Sequence, residues 1–299
     1  MKKSFILLLY VIWVIFIMTG EMAFAATVGN PIDIDIPSRS ILLRQQIIDE
    51  TLDEYEESVV VKTGVDFEVV FNKDLKAPAE VRLGKLNAPE MEGQWNMAKL
   101  GITLFNRVEP YVKLGTSRLE VKWSQGNGSV TDAVDVIEVE TDYGFAWGWG
   151  IKGVLFELDD LGLRLTGDAQ YRAADLDVDD ISRAGSGIST SNAGAEFDVE
   201  EWQFSIALSK KFQLPLRWQD IYIVPYTGLT LSDSVVDVSF RDTGPPSELL
   251  SLFDAGNDSK LGMFLGLDIL TDLKSAFLFN IEARFLNEYA LSLGATTKF

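Results

Sequence analysis

The feature that most constrains the fold is a two-residue period of apolar side chains that begins at Val59 and continues almost to the C-terminus. In the first such stretch, Val65, Phe67 and Val69 alternate with polar or charged residues. Because successive side chains of a β-strand point to opposite faces, this period predicts strands with one apolar and one polar face. The clearest alternating stretches lie at 59–72, 98–104, 143–155, 161–172, 202–209 and 277–285.

Four less regular stretches bring the expected number of strands to ten, at 110–123, 220–232, 260–270 and 288–299. In the first of them the apolar parity changes near Thr116–Arg118, which predicts a β-bulge. Phe264 falls on the polar face of its stretch. Residues 32–36 and 79–87 also alternate, so twelve strands are the alternative to ten.

The connections between these stretches alternate in length. Short turns such as Asp159–Gly162 join some neighbours, long loops join the others, and only Asn287-Glu288 breaks the order with a tight turn. Alternating short turns and long loops are typical of transmembrane β-barrels. The pattern therefore predicts an all-β fold, an antiparallel transmembrane β-barrel over residues 59–299, with long loops at 73–94, 124–142, 175–196 and 233–258.

The chain before the strands has two segments. Lys2 and Lys3 precede an apolar run and a small-residue site that ends at Ala25, which predicts a secretory signal peptide over residues 1–25. In residues 26–58 we expect a short linker followed by an amphipathic helix, because apolar side chains recur at spacings of three, four and seven.

The C-terminal stretch places apolar residues at alternate positions and ends on an aromatic residue. This ending resembles the C-terminal signal of bacterial outer-membrane β-barrel proteins, a porin-like class, and the resemblance covers residues 59–299 without indicating a subfamily. The resemblance implies a place in the cell outer membrane of a Gram-negative bacterium, in contact with outer-membrane lipid. It also implies that the barrel-assembly machinery recognises this strand through Leu291, Leu293 and Phe299.

Composition excludes most enzyme chemistry. The chain has no His and no Cys, which removes imidazole bases, thiol nucleophiles and the metal sites built from them. The ten-strand layout resembles that of the omptin-type proteases, but these depend on a His. A net charge of −19 argues against a nucleic-acid partner, which needs a basic face. We expect no enzyme activity and no cofactor.

One acidic run, at residues 175–180, deserves a test as a metal site. Oxygen ligands at alternate positions suit a hard cation such as Ca²⁺. The sixth and twelfth positions of the implied loop, Asp180 and Ser186, do not fit a calcium-binding loop. The sequence therefore predicts no metal site, and the weak candidates are Asp175, Asp177 and Asp179.

Tryptophans gather near the strand ends on the long-loop side. Trp and Tyr prefer the interface between membrane and water, so such a gathering predicts one belt of a membrane barrel. The expected aromatic girdle consists of Trp95, Trp123, Trp147, Trp149, Trp202 and Tyr289.

The polar faces of the strands predict a charged interior. Counting every inward position gives ten basic and six acidic side chains, so we expect a net positive lumen. Arg164 or Arg172 is expected to pair with Asp168, and Arg284 with Glu282. The predicted lumen network is Lys62, Asp66, Glu68, Lys99, Lys152, Arg164, Asp168, Arg172, Glu282, Arg284 and Lys298, and the full inward set adds Lys113, Lys122, Lys211, Glu120 and Asp268.

Two kinds of function fit this pattern. If paired charges fill the interior, the chain has a structural or surface role, whereas an open interior would make it a narrow passive pore for small solutes. The alternative is an adhesin-like surface-binding module whose long loops contact a partner. The sequence leaves the oligomeric state undetermined.

Overall fold

Antiparallel β-strands make up almost all of the structure, which is a computed structural model. It describes residues 59–76, 86–105, 107–126, 134–158, 161–184, 195–215, 220–241, 249–270 and 277–298. The strand segments are β1 Val59–Lys76, β2 Leu86–Leu104, β3 Val108–Gly126, β4 Val134–Thr141, β5 Gly144–Leu158, β6 Leu163–Ala184, β7 Glu196–Lys210, β8 Phe212–Pro215, β9 Asp220–Arg241, β10 Leu249–Asn257, β11 Leu261–Leu270, β12 Phe277–Phe285 and β13 Tyr289–Lys298.

Three pairs of these segments, β4 with β5, β7 with β8 and β10 with β11, each form one longer strand. β4 and β5 both lie between β3 and β6, and β10 and β11 both pair with β9. β8 continues the ladder that β7 makes with β9. With these joined, the described residues form ten antiparallel strands that close into a ring, because β1 pairs with both β13 and β2. The predicted barrel of about ten strands is confirmed.

The barrel has two levels with different numbers of strands. At the level of the β12–β13 hairpin all ten strands surround the interior, and we name this part the lower barrel. Above the hairpin, β10 pairs directly with β1 through Leu75–Asn257 and Lys76–Gly256. The described strands of this level number eight; β4, β10 and the upper ends of β1, β2, β3, β6, β7 and β9 form the upper barrel.

The two levels carry their apolar side chains on opposite faces of the same strands. On β7, Phe204 of the lower barrel faces outward and is exposed, and Ser205 beside it is buried. Higher on the same strand the apolar Phe197 is buried and Asp198 is exposed. No strand register has to change for this, because alternate side chains point to opposite faces throughout. The lower barrel therefore has a polar interior and an apolar outer wall, whereas the upper barrel has the reverse.

This reversal overturns two expectations. The segments expected as long loops are mainly strand: β1 reaches Lys76, β3 reaches Gly126, and β4 and β10 lie wholly within such segments. Nor does β3 bulge at Thr116–Arg118, where its ladder with β2 is continuous. The parity change is real, but it marks the height at which apolar residues move from the outer wall to the interior.

The N-terminal predictions are not tested by the structure. The signal peptide, 1–25, and the linker and helix, 26–58, lie outside the described residues, as does the alternating stretch 32–36. Among the residues that are described, no helix has the length and apolar character needed to cross a membrane.

Candidate functional site

The interior of the lower barrel is the part of the molecule where the predicted charged residues meet. Ten of the eleven predicted network residues are buried there, and the side chain of Lys298 lies outside the described part of the chain. The structure adds members that the sequence analysis missed. These are Lys73, Glu109, Glu201 and Glu288.

The predicted excess of positive charge is wrong for the described residues. Among them, eight basic and eight acidic side chains are buried. Glu120 and Lys122 lie on the outer face of β3, and Lys211 is exposed below β7. The loss of two predicted cations and the three newly found acids outweigh the loss of Glu120 and the addition of Lys73, so the buried charges of the described residues balance. Balanced pairing offsets part of the cost of taking charges out of water.

Near the lower end, one carboxylate gathers three ammonium groups. Glu109 lies 2.7 Å from Lys62 and 2.8 Å from Lys99, measured between side-chain oxygen and nitrogen. Lys152 is farther away, at 3.9 Å, and the Thr103 hydroxyl donates a 2.9 Å hydrogen bond to the same carboxylate. The four strands β1, β2, β3 and β5 are thus held together through a single acidic side chain.

Tyr111 occupies the middle of the same wall. Its hydroxyl donates to Asp168 at 3.0 Å, and Lys99 lies 4.7 Å from the centre of its ring. The ring fits because Gly150 faces it: a Cβ at that position would come within 2.4 Å of the ring. Gly150, the ladder partner of Tyr111, thus leaves room for the large ring inside the barrel.

Uncharged polar groups continue the network across the barrel. Lys113 donates to Gln170, Gln170 donates to Gln203 at 2.7 Å, and Gln203 donates to Thr230 at 3.0 Å. This chain links β3 to β6, β7 and β9. Since buried polar groups are costly unless they are hydrogen-bonded, the chain is part of what allows the interior to be polar.

The top of the lower barrel is crossed by six alternating charges, which we name the charged layer: Glu68, Lys73, Arg172, Glu201, Arg284 and Glu288. Arg284 contacts Glu68 at 2.6 Å and Glu288 at 2.9 Å, and Lys73 lies 3.1 Å from Glu201. Arg172 bridges Glu68 and Glu201. Three cations and three anions from β1, β6, β7, β12 and the β12–β13 turn therefore balance within one layer.

Two of the residues expected to pair with each other make close contacts elsewhere, whereas the expected neighbours Arg284 and Glu282 do interact electrostatically. Arg164 pairs with Glu157 on the neighbouring strand, and Asp168 accepts a hydrogen bond from Tyr111. Arg164 and Asp168 are four residues apart on one strand, about 13 Å, whereas Arg164 and Glu157 are direct ladder partners, with Cβ atoms about 5 Å apart. The ladder partner therefore takes precedence over the near neighbour in sequence.

Apolar side chains close the interior at both ends. Below, Val224, Leu270 and Leu278 form a buried cluster. Above the charged layer, the upper barrel is filled by a larger apolar core, and the Arg172 guanidinium lies 4.3 Å from the ring centre of Trp95 at its base. The core consists of Leu75, Met91, Trp95, Met97, Leu119, Val121, Trp123, Ile137, Val139, Ala146, Ala174, Leu176, Ile181, Phe197, Val199, Val236, Val238 and Ala255.

The predicted aromatic girdle divides between two places. Trp147, Trp149 and Trp202 are on the outer wall, just below the height at which apolar residues move to the interior. The Trp149 and Trp202 rings meet edge to face, with their centres 5.5 Å apart. Tyr289 is also exposed. Trp95 and Trp123, however, are buried in the upper core, so their assignment to the girdle is wrong. Both lie above this height, where the apolar face points inward.

The acidic run expected at the start of a loop is instead part of strand β6. Asp175, Asp177 and Asp179 are exposed along this strand, so they cannot wrap around one cation as a calcium loop does. The carboxylates of Glu120, Glu138 and Glu140 do lie within 4.8 Å of one another. Among them Lys122 pairs with Glu120 at 2.5 Å and Glu138 at 3.0 Å, so the protein itself supplies a cation there.

Acidic side chains also stand in a row across the outer wall of the upper barrel. Asp198 is the direct ladder neighbour of Asp175 on one side and of Asp237 on the other. Partial burial, together with these two and with Glu196 and Glu200, raises the pKa of Asp198 above its ordinary value. Like charges directly opposite one another destabilise a sheet.

Replacing Asp198 with Asn is therefore expected to stabilise the protein at pH 7 by a few tenths of a kcal/mol, since water screens part of the repulsion. Because the folded-state pKa is raised, ionisation lowers stability as pH rises through it. The gain should shrink as pH falls and vanish below about pH 4, where the unfolded carboxyl is protonated too. Urea unfolding across pH measures this, and a gain that grows on acidification would contradict it.

Several solved structures of bacterial membrane proteins are similar to the chain in shape. The outer-membrane protease OmpT from Escherichia coli has 11% identity and a TM-score of 0.44, covering 85% of this chain and 99% of its own. The outer-membrane protein AlkL has 12% identity and a TM-score of 0.36, covering 81% and 90%. The outer-membrane protein OprG from Pseudomonas aeruginosa has 11% identity and a TM-score of 0.32, covering 81% and 95%.

These similarities concern the barrel alone. The sequence matches no protein-family model and no curated protein. The strand ladders and the burial of the faces define the class: an antiparallel β-barrel with a polar, charge-balanced interior and an apolar outer wall over its lower ten strands.

Proposed function

We propose that the chain is an integral outer-membrane β-barrel with a closed interior and a structural or surface role. The lower barrel would cross the membrane, and the upper barrel would stand in water at the cell surface. The observation that carries this proposal is that apolar side chains move from the outer wall to the interior at one height in neighbouring strands. If water surrounded both levels, apolar side chains would fill the interior of both, and nothing would explain the change.

The membrane location is supported by the outer wall of the lower barrel. Exposed apolar side chains occur there on strand after strand, including Phe67, Leu100, Ile206 and Phe279. Such a band on a water-soluble protein would be an aggregation site, whereas hydrocarbon solvates it without cost. Trp147, Trp149 and Trp202 at its upper border stand where amphipathic rings prefer to lie.

A closed interior is supported by what fills the barrel. Paired charges, a polar hydrogen-bond chain and two apolar clusters occupy successive levels between the two ends of the described barrel. Ten strands enclose only modestly more space than eight, where side chains fill the interior. We therefore favour the structural or surface role over the passive pore, and we infer no enzymatic role, because the chain lacks His and Cys.

The C-terminal strand is proposed as the segment that the barrel-assembly machinery recognises. Leu291 and Leu293 are half-buried on the outer face of β13, while Phe299 lies outside the described residues. Exchanging Leu291 and Leu293 for Ser should reduce insertion without changing the closed interior. Normal membrane levels of that variant would contradict this assignment.

A labelling experiment tests the proposed orientation, and the absence of native Cys makes it clean. Asp177→Cys on the upper barrel should react with a membrane-impermeant maleimide in intact cells. Ile206→Cys, on the outer wall of the lower barrel, should react only after unfolding, because hydrocarbon covers it. The protein should also fractionate with the outer membrane and shift on gels when heated.

Equal labelling of the two Cys variants in folded protein, or recovery of the protein as a soluble species, would overturn the membrane proposal. Conductance tests the closed interior separately. The reconstituted protein should give no steps in a planar bilayer in which a known porin is active. Reproducible steps would replace the closed barrel by a passive pore.

A surface-binding module is the second candidate, and the acidic outer wall of the upper barrel favours it. Asp175, Asp198 and Asp237 lie side by side on this rigid surface. Such a wall would attract a basic partner, with an association that weakens as salt rises. Salt-independent binding, or none, to a lysine-rich peptide would remove the support for this candidate.

A further inference from the structure

The outer wall of the lower barrel carries a groove that the proposed function does not explain. It has a volume of about 760 Å³ and crosses the wall from β3 and β5 over β6, β7 and β9 to β11. Its wall side chains are almost all apolar. They include Leu155, Leu165, Phe204, Ile206, Leu229 and Leu261.

Two local features of the sequence create the floor of the groove. Gly153 and Gly167 are direct ladder partners, so neither strand places a side chain on the outer wall at this point. Leu155 is the extra residue of a bulge in β5, opposite the step from Leu165 to Thr166. A bulge re-aims the side chain next to it, and here the Leu155 side chain comes close to Gly167 at one end of the floor.

The groove lies wholly within the apolar band. Its lower end is at Leu155, near the lower edge of the barrel, and its upper end is at Leu261, the ladder partner of Leu231. Just above that end Lys260 pairs with Asp233 at 2.8 Å, and both are exposed, which marks the start of the polar surface. The groove therefore lies on the part of the wall that hydrocarbon would cover.

We propose that this groove binds one acyl chain of a membrane lipid and holds it in place. The inference rests on the proposed membrane location, since the groove is continuous with the wall that faces hydrocarbon. The part of the floor without side chains is a single ladder pair, about 5 Å between its two strands, too narrow for an α-helix about 10 Å across. A flexible chain of methylene groups fits such a floor and gains dispersion contacts along its length.

Filling the floor tests the proposal. Gly167→Leu places a branched side chain where the acyl chain would lie, and the nearest atoms to its Cβ would be those of the flexible Leu155 side chain, at 3.3 Å and beyond. Native mass spectrometry of protein extracted from outer membranes in mild detergent should show one retained lipid on the wild type. We expect the retained fraction to fall about tenfold in the variant, since each displaced methylene group loses favourable burial.

Ala283→Leu is the matched control, because it adds a similar side chain to the outer face of β12 away from the groove. Retention by this control at the wild-type level supports the proposal. Equal retention by Gly167→Leu and the wild type, no retained lipid on the wild type, or a wild-type dimer that Gly167→Leu abolishes would overturn it.

The heat-induced gel shift and the outer-membrane fractionation of all three proteins report the membrane location independently. A wild type that fractionates as a membrane barrel but retains no lipid contradicts the groove alone. A wild type that is soluble contradicts the membrane proposal.

Discussion

Replacing Arg284 with Met is expected to destabilise the folded barrel by about 3–5 kcal/mol, the usual effect of removing one partner of a buried ion pair. Arg284 is only 1% exposed and contacts both Glu68 and Glu288. Without the guanidinium, two carboxylates would face each other in the charged layer with less compensating charge. Urea unfolding in phospholipid micelles, followed by Trp fluorescence, measures the change.

The control for this prediction is Arg118→Met. Arg118 pairs with Glu140 at 3.3 Å on the outer wall, where both side chains are well exposed, and we expect a loss below about 1 kcal/mol. A second variant combines Arg284→Met with Glu68→Gln and Glu288→Gln, and it should recover part of the loss because the unpaired charges are gone. If Arg284→Met were as mild as Arg118→Met, the charged layer would not stabilise the barrel.

Replacing Trp95 with Ala is expected to cost about 3–5 kcal/mol, as for other large aromatic side chains in a packed core. Trp95 is fully buried in the upper core, and its ring also contacts Arg172 of the charged layer. The change would leave a large cavity at the base of the upper barrel. Unfolding curves and protease digestion of the folded protein would report it.

Trp149→Ala provides the contrast, since Trp149 is 44% exposed on the outer wall of the lower barrel. Its effect should be smaller than that of Trp95→Ala, because hydrocarbon can fill the space that the ring leaves. If Trp95→Ala and Trp149→Ala had the same effect, Trp95 would belong to an interfacial girdle, as the sequence first indicated, rather than to a core.

Much of the lower barrel was predictable because its signal is local. The alternation around Phe67 or Ile206 shows the strand and its apolar side within a few residues. Extending the same parity would also have found Glu109, two residues before Tyr111, and Glu201, two before Gln203, as inward residues. Both were missed because the expected strands, 110–123 and 202–209, began too late in the sequence: Glu109 was assigned to a turn, and Glu201 lies where apolar residues leave the outer face.

The upper barrel was not predictable in this way. Residues such as Leu119 and Val121 alternate as well as Val112 and Leu114 do, but on the opposite face. Within one strand, a bulge and a move of the apolar residues from the outer wall to the interior produce the same change of apolar parity. Only the uninterrupted ladder between β2 and β3 distinguishes the two. Trp95 and Trp123 were misplaced for the same reason.

By itself, the sequence determined that the chain forms antiparallel strands of about the observed number, and which side chains share a strand face. Those properties follow from a two-residue period and from turns, which are encoded by neighbours along the chain. The tertiary structure decided whether apolar or polar side chains fill the interior at each height, and which charges meet. Closure of the ring brings Glu68 to Arg284 and Arg172, and leaves eight strands above ten. Such contacts depend on residues far apart in sequence, so no local pattern specifies them.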